Sequence, residues 1–296
     1  MPKQSGPDGG GVAMSVIVPA HNEARSIGRL LDALLGSPDS TTLAPGLDVV
    51  VVCNGCSDDT AAVAGRYGHR DDLRVVQIPV ASKIEALRTG NSYAHYATRA
   101  FVDADVIIDH DGLAAMQQAM ERTGSLAAGP TRVLDRHGVS LPVRWYYDVW
   151  ERLPQVEEGL FGRGVVMVSA EGLDQLDLSA DLLSDDLAMS EAFAPSQRVV
   201  VRGATVTIRL PKTVADLLRR RIRVALGNAQ ADRLGVRTEA ARTSMSDVLR
   251  PAVRDPRLIP KVLVFLAVTV IARTVARSHR ASETPARWLR DESSRT

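Results

Sequence analysis

The chain has 296 residues, 45% of them hydrophobic and 24% charged, enough for one large α/β unit with an appendage or two modest domains. Its two cysteines, Cys53 and Cys56, exclude a disulfide scaffold and suit a reducing compartment, and an aromatic content of 4% argues against a base-stacking nucleic-acid surface. The net charge of +1 conceals an asymmetry: residues 1–208 carry 17 Lys/Arg against 27 Asp/Glu, and residues 209–280 carry 16 against 5.

Met1 to Ala13 is rich in Gly and Pro, lacks an apolar core and reads as a disordered leader, not a signal peptide. Met14–Pro19, Leu47–Cys53 and Leu73–Ile78 are short β-branched runs that predict buried strands. Between them, Ala24–Leu35 and Asp58–Tyr67 predict helices, the second with acids in its first turn. Lys83–Arg99 predicts a third helix, and Ala100–Val106 a fourth strand ending in acids. Strands alternating with helices of this length predict a doubly wound, mostly parallel sheet, with ligands at the carboxyl ends of the strands. Further on, Val165–Ser169 predicts a strand entered through a glycine-rich turn, and Asp185–Phe193 a helix. Val199–Leu210 alternates as one long strand or a pair, and Val214–Leu226 predicts a strongly basic helix. The domain reading is a leader at 1–13, an α/β catalytic domain at 14–230 and a basic, helical extension at 231–296.

Two carboxylates flank one small residue in Phe101–Val106 (FVDADV). Strand alternation would aim Asp103 and Asp105 the same way. Hard oxygen ligands of this kind suit Mg²⁺ or Mn²⁺ shared with substrate phosphates. An Asp-Xaa-Asp alone is common; its weight comes from its place at a strand end.

Taken in order, the motifs resemble those of the family-2 glycosyltransferases. VIVPAHNE at Val16–Glu23 is similar to that family's opening strand and nucleotide loop, and VVCNGCSDDT at Val51–Thr60 to its second-strand signature. KIEALRTGN at Lys83–Asn91 resembles the helix before the metal motif, FVDADV the metal motif, SDDLA at Ser184–Ala188 the acidic catalytic motif, and RRIRV at Arg220–Val224 the Arg/Gln-x-x-Arg-Trp motif. The resemblance covers roughly residues 14–230 and implies a GT-A-type fold. It implies an inverting, metal-dependent transfer of sugar from a nucleotide-diphosphate donor, UDP-sugar favoured, to a hydroxyl acceptor on a glycan, a lipid-linked sugar or a small molecule. Polysaccharide, glycolipid or cell-envelope biosynthesis would be the setting. By the same resemblance, Pro19, His21 and Glu23 would line base and ribose, and Asn54 would face the base. Lys83 would reach the nucleotide or its phosphates, and Asp103 with Ala104 would contact the donor. Asp105 and Asp103 would hold Mn²⁺ or Mg²⁺, Asp186 would be the general base with Asp185 beside it, and Arg220 and Arg223 would lie near the diphosphate. Helix capping by Asp185 and Asp186, and a solvated face for the arginines, are the plainer readings.

Departures shape the expectation. Cys53-Asn54 stands where the family has Asp-Asp, which leaves guanine open as the base. Val224 stands where processive members have Trp, so one sugar per encounter is expected. Cys53-Asn54-Gly55-Cys56 is also a CxxC between strand and helix, a redox alternative that the alignment disfavours. Trp145, Tyr146, Tyr147 and Trp150 form an aromatic cluster; Trp145 and Trp150 are candidates for an acceptor platform, the alternative being core. Leu258–Ala272 is apolar but interrupted by Pro260 and Lys261, shorter than the roughly 20 residues that span a bilayer, and flanked by arginines. It fits a helix on an anionic membrane surface, which would place the protein in the cytoplasm at the inner face of the cell membrane, or a core or homo-oligomer contact. The basic C-terminal third adds phosphates, an anionic acceptor or a plain solvated surface to those readings. A regulatory or scaffolding protein on the same fold is the non-enzymatic alternative. A sugar nucleotidyltransferase would need a Gly-rich opening loop that PAHNEA lacks.

Overall fold

The computed structural model describes residues 13–39, 46–178, 185–238 and 241–281; of the expected leader only Ala13 lies within them. In chain order the elements are β1 (Met14–Ala20), α1 (Ile27–Leu35), β2 (Leu47–Asn54), α2 (Thr60–Gly65), β3 (Leu73–Ile78), α3 (Lys83–Tyr93), β4 (Thr98–Val102), α4 (His110–Thr123) and β5 (Ala127–Asp135). After these come α5 (Leu141–Trp150), α6 (Pro154–Glu158), β6 (Val165–Val168), α7 (Ala170–Leu173), α8 (Asp185–Glu191), β7 (Arg198–Arg209), α9 (Val214–Arg233), α10 (Met245–Arg254) and α11 (Ile259–Ala281).

The described residues form one seven-stranded sheet, ordered β3-β2-β1-β4-β6-β5-β7. β1 pairs in parallel with β2 and β4, β2 with β3, and β5 with β7; β6 alone runs antiparallel to its neighbours β4 and β5. The expected mostly parallel sheet is therefore present, and the run Val199–Leu210 is one long strand. Its inner strands are apolar on both faces because helices cover both. On one face Val16, Val18, Val49 and Val51 pack with Leu30 and Leu31 of α1 and Leu113 and Met116 of α4. On the other, Ile17 and Phe101 pack with Ile84 and Leu87 of α3 and Met189 of α8. Each such side chain, removed fully from water, contributes roughly 1.5–3 kcal/mol before entropy is counted.

Several boundaries differ from the sequence reading, among them α1, which starts at Ile27, α2, which spans only Thr60–Gly65, and α9, which runs on to Arg233; two bear on the site, each for a local reason. α3 ends at Tyr93, not Arg99, because the next residues cross to begin β4 at Thr98. β4 stops at Val102, and Asp103–Asp105 turn, with the Val106 N–H donating to the Asp103 carbonyl at 3.3 Å.

The C-terminal helices share a second core with the body. Val143, Tyr146 and Val149 of α5 pack with Leu217 of α9 and Val262, Phe265 and Val268 of α11. Tyr146 stacks on Phe265 with ring centroids 4.9 Å apart. Asp148 of α5 accepts from Lys261 of α11 at 2.7 Å and from Arg136 at 2.6 Å. The expected boundary at 230 falls inside α9. α11 runs 23 residues, past the Leu258–Ala272 run, and by length and composition alone is long and apolar enough to cross a bilayer. Leu263 and Val270 stand 62% and 60% exposed on the side away from the core.

Candidate active site

A cavity of about 610 Å³ opens where the sheet meets the C-terminal helices. Asp103, Asp105, Lys83, Asp186, Trp150, Arg220 and Arg223 all line it. Five distant stretches of sequence thus meet at one place, and each is delivered by a specific element.

Asp103 leaves the end of β4 with its N–H donating to the Gly164 carbonyl at 2.8 Å. Gly164 has φ +68°, and a Cβ there would lie 2.4 Å from Val106 Cγ1, so glycine is required beside the paired acids. Lys83, at the first turn of α3 behind the Ser82 cap, donates from Nζ to Asp103 Oδ1 at 2.6 Å. Lys83 was expected to reach toward phosphates; in this structure it holds the metal-motif acid, within reach of the same space. Asp105 is exposed into the cavity, whereas the Ala104 side chain is buried in the sheet core. The two acids converge through a turn and not through strand alternation, because the strand has already ended.

Among the described residues no group of three or more His, Cys, Asp or Glu is placed to hold a metal. Two carboxylates on a cavity fit Mg²⁺ or Mn²⁺, which keep several waters and take further oxygens from substrate phosphates. They do not fit a structural zinc site.

Asp186, in the first turn of α8, faces the same cavity. Its Oδ2 accepts from the Gly162 N–H at 2.8 Å and its Oδ1 from the Leu187 N–H at 2.8 Å. Ser184 and the Asp185 side chain lie outside the described residues. Arg220 donates to the Arg209 carbonyl at 3.5 Å, and Arg221 stands over the Tyr146 ring at 5.6 Å. Trp150 lines the cavity with the Arg132 guanidinium 4.8 Å from its ring centroid. Trp145 is not brought there: five residues of helix turn it about 140° away from Trp150. Tyr146 and Tyr147 are buried core.

Pro19, His21, Glu23 and Asn54 sit at and just beyond the carboxyl ends of β1 and β2, the strands next along the sheet. His21 Nδ1 donates to the Asn54 carbonyl at 2.5 Å, and Asn22 Oδ1 accepts from the Ser57 N–H at 2.8 Å, so the two loops are tied together. Asn22 takes φ 55°, a conformation asparagine tolerates. Pro19 and Asn54 are buried. Glu23 is turned inward: it is 7% exposed and its Oε2 accepts from Ser26 at 2.6 Å. Burial, reinforced by Cys56, pushes the Cys53 thiol up to about 12, and Cys56 donates to the Ala20 carbonyl at 3.3 Å. A thiol held protonated in this way does not support redox chemistry.

Sequence reasoning missed Arg132, Asp232 and Arg237, which also line or border the cavity, and took Arg273 only as a flank of the apolar run. Gly162, in the glycine-rich turn from Gly159 to Gly164, was expected to let backbone approach the donor sugar; in this structure its N–H donates to Asp186.

The family model described as glycosyl transferase family 2 matches residues 15–167. Glycosyltransferase AglD of Haloferax volcanii is 30% identical over 137 residues, covering 43% of this chain and 21% of that protein. The 4,4'-diaponeurosporenoate glycosyltransferase of Staphylococcus aureus is 31% identical over 136 residues, covering 42% of this chain and 33% of that protein. The matches thus span a third or less of these curated relatives. A mannosyltransferase of Pyrobaculum calidifontis, PcManGT, solved with GDP-Man and Mn²⁺, is similar in fold at TM-score 0.59 and 20% identity, over 92% of this chain and 76% of that one.

Proposed function

The chain belongs to glycosyl transferase family 2, and on that premise we propose that it transfers a sugar from a nucleotide-diphosphate donor to a hydroxyl acceptor, with inversion and with a divalent metal. The observation that carries this reading is one cavity lined at once by Asp103, Asp105, Asp186, Arg220 and Arg223. Asp105 and Asp103 would hold Mn²⁺ or Mg²⁺, which when bound supplies positive charge for the departing diphosphate. Arg220 and Arg223 add fixed cations for the same anion. Lys83 holds Asp103 in place.

Asp186 serves as the general base. Its two backbone donors fix the carboxylate's orientation, so that it is placed to accept the acceptor's hydroxyl proton as the new bond forms. A single displacement with such a base inverts the sugar carbon. Trp150 offers an apolar ring to a sugar face, and Arg132 behind it fixes the ring. His21 and Asn54 shape the base end, with UDP-sugar the first donor to try and GDP-sugar the second.

We also assign the outer faces of α10 and α11 to an anionic membrane surface. Residues 245–281 carry seven Lys/Arg against two Asp/Glu, beside exposed Leu249, Val253, Leu263 and Val270. One face of α11 is committed to the core, which favours a helix lying on a membrane over one crossing it.

The test is a thermal-shift screen across UDP-, GDP- and dTDP-sugars with and without Mn²⁺, followed by a donor-hydrolysis assay. A donor at about 100 times its dissociation constant raises stability by ~2.7 kcal/mol. One donor that stabilises only with metal, and is hydrolysed, supports the reading; no metal-dependent shift with any donor counts against it.

A further inference from the structure

We propose that the turn from Leu160 to Gly164 is a ruler that sets the distance between the metal-motif acid and the base, and that Ser190 and Arg163 are the positioning residues that fix it. This rests on the reading of Asp186 as the base and of Asp103 as part of the metal site.

Alternate residues of the turn each hold one part of the site. The Leu160 N–H donates to Ser190 Oγ at 3.0 Å, the Gly162 N–H to Asp186 Oδ2 at 2.8 Å, and the Gly164 carbonyl accepts from the Asp103 N–H at 2.8 Å. Asp186 and Ser190 are four residues apart in α8, so they share one face, about 6 Å apart along its axis. Two residues of chain span at most about 7 Å, so Leu160 and Gly162 match that spacing. One such bond would leave α8 free to pivot about Asp186; two fix its rotation and its register against the turn. Ser190 is 0% exposed and is held from β7 as well, where Arg198 Nη1 donates to its carbonyl at 2.6 Å and to its Oγ at 3.0 Å. Ser190 thus acts on the reaction through the carboxylate one turn before it.

The turn is itself held from within. Arg163 is 2% exposed, and among the described residues its hydrogen bonds go to backbone carbonyls: Nε to Gly159 at 2.8 Å, Nη1 to Pro130 of β5 at 2.8 Å, and Nη2 to Val156 at 3.2 Å and Glu157 at 2.8 Å. Burial, and then the charge of Arg132, pushes the guanidinium pKa down to about 9. A charge so placed is costly, and an apolar side chain would fill the space at less cost. What the planar fork supplies is a simultaneous reach to the carbonyls at the end of α6 and to the neighbouring strand. α6 and β5 are thereby locked to the turn and, through Gly162 and Gly164, to both acids.

The test uses the full chain. Turnover is read as Mn²⁺-dependent hydrolysis of the donor found by the screen, with water in the acceptor's place, and nucleoside diphosphate affinity by calorimetry with and without Mn²⁺. We expect Ser190→Ala to lower turnover about tenfold while affinity stays within about twofold of wild type. The control is Leu34→Ala or Leu34→Val, whichever matches its loss of melting temperature; Leu34 is buried near the C-terminal end of α1, and turnover there should stay at the wild-type level. Ser190→Cys, whose thiol is a weaker acceptor, should lie between serine and alanine. Arg163→Lys keeps the charge and loses the fork, so turnover and the Mn²⁺-dependent part of affinity should both fall, because Asp103 hangs from the same turn. Circular dichroism checks the fold, and if Arg163→Lys does not fold, the Ser190 variants decide. A folded Ser190→Ala with wild-type turnover, or with a fall that the Leu34 control matches, would overturn the ruler. Arg163→Lys with both quantities unchanged would remove Arg163 from it. The base reading fails separately: an active Asp186→Asn removes the base and the ruler's purpose with it, whereas an inactive Asp186→Asn beside a fully active Ser190→Ala keeps the base and removes the ruler.

Discussion

The Gly162 N–H donates to Asp186 Oδ2 at 2.8 Å, so the glycine turn that precedes β6 aims an acid in the first turn of α8. Gly162 sits at φ +65°, with Trp150 3.7 Å from where a Cβ would stand.

This pairing predicts the behaviour of Gly162→Ala. A Cβ finds only ordinary contacts there, but the left-handed backbone is strained by about 1–2 kcal/mol. Thermal unfolding should show that modest loss. Turnover should fall about tenfold or more, because relaxing the strain swings the N–H away from Asp186. Unchanged turnover alongside the stability loss would mean that the turn does not aim the acid.

Asp105→Ala should abolish transfer and remove the Mn²⁺-dependent part of donor affinity, with little effect on the melting temperature. The side chain is exposed and holds no core contact. Isothermal titration of the donor with and without Mn²⁺ measures this. Normal metal dependence in the variant would remove Asp105 from the metal site.

The Asp148 link gives a pH signature. Burial raises its carboxyl pKa, but hydrogen bonds with Lys261 and Arg136 more than offset this and hold it below the usual carboxylate range. A lowered folded pKa adds stability above the unfolded value of about 3.9, and that stability is lost as pH falls through the folded value. Asp148→Asn should therefore cost on the order of 1 kcal/mol at pH 7, with the gap closing below about pH 4. Denaturant titrations at pH 7 and pH 3.5 measure it, and an equal gap at both would show that the pair does not couple α5 to α11.

Membrane contact is tested by substitution, since deleting from Leu258 onward would remove Val262, Phe265 and Val268 from the second core. Leu263→Glu with Val270→Glu changes two exposed positions only. Binding to phosphatidylglycerol vesicles should drop about tenfold or more, and wild-type binding should weaken with salt. Vesicle binding as strong as wild type would free these helices for another partner.

Much of this was legible because buried parallel strands announce themselves as apolar runs: Val49–Val52 has no other use than a strand covered on both faces. The acidic motifs were legible in position but not in geometry. Nothing in FVDADV says that β4 stops at Val102, since that involves Gly164 from the distant turn before β6. Nor could local sequence show that Lys83 would pair with Asp103, or that Arg273 would approach Arg237 across 36 residues. Trp145 and Trp150 looked equivalent until the helix carrying them fixed which one reaches the cavity.

The account turns on Asp186, and Asp186→Asn tests it most directly. The change is nearly isosteric and cannot take a proton at neutral pH, and its single amide oxygen keeps one of the two backbone donors, Gly162 or Leu187. Transfer and donor affinity should be measured on the same variant. We predict a fall in turnover of about 10²–10⁴ with donor and metal affinity retained. A helix-capping role alone predicts that both survive, because asparagine caps nearly as well as aspartate. An Asp186→Asn enzyme with near-normal turnover would contradict the assignment of the base.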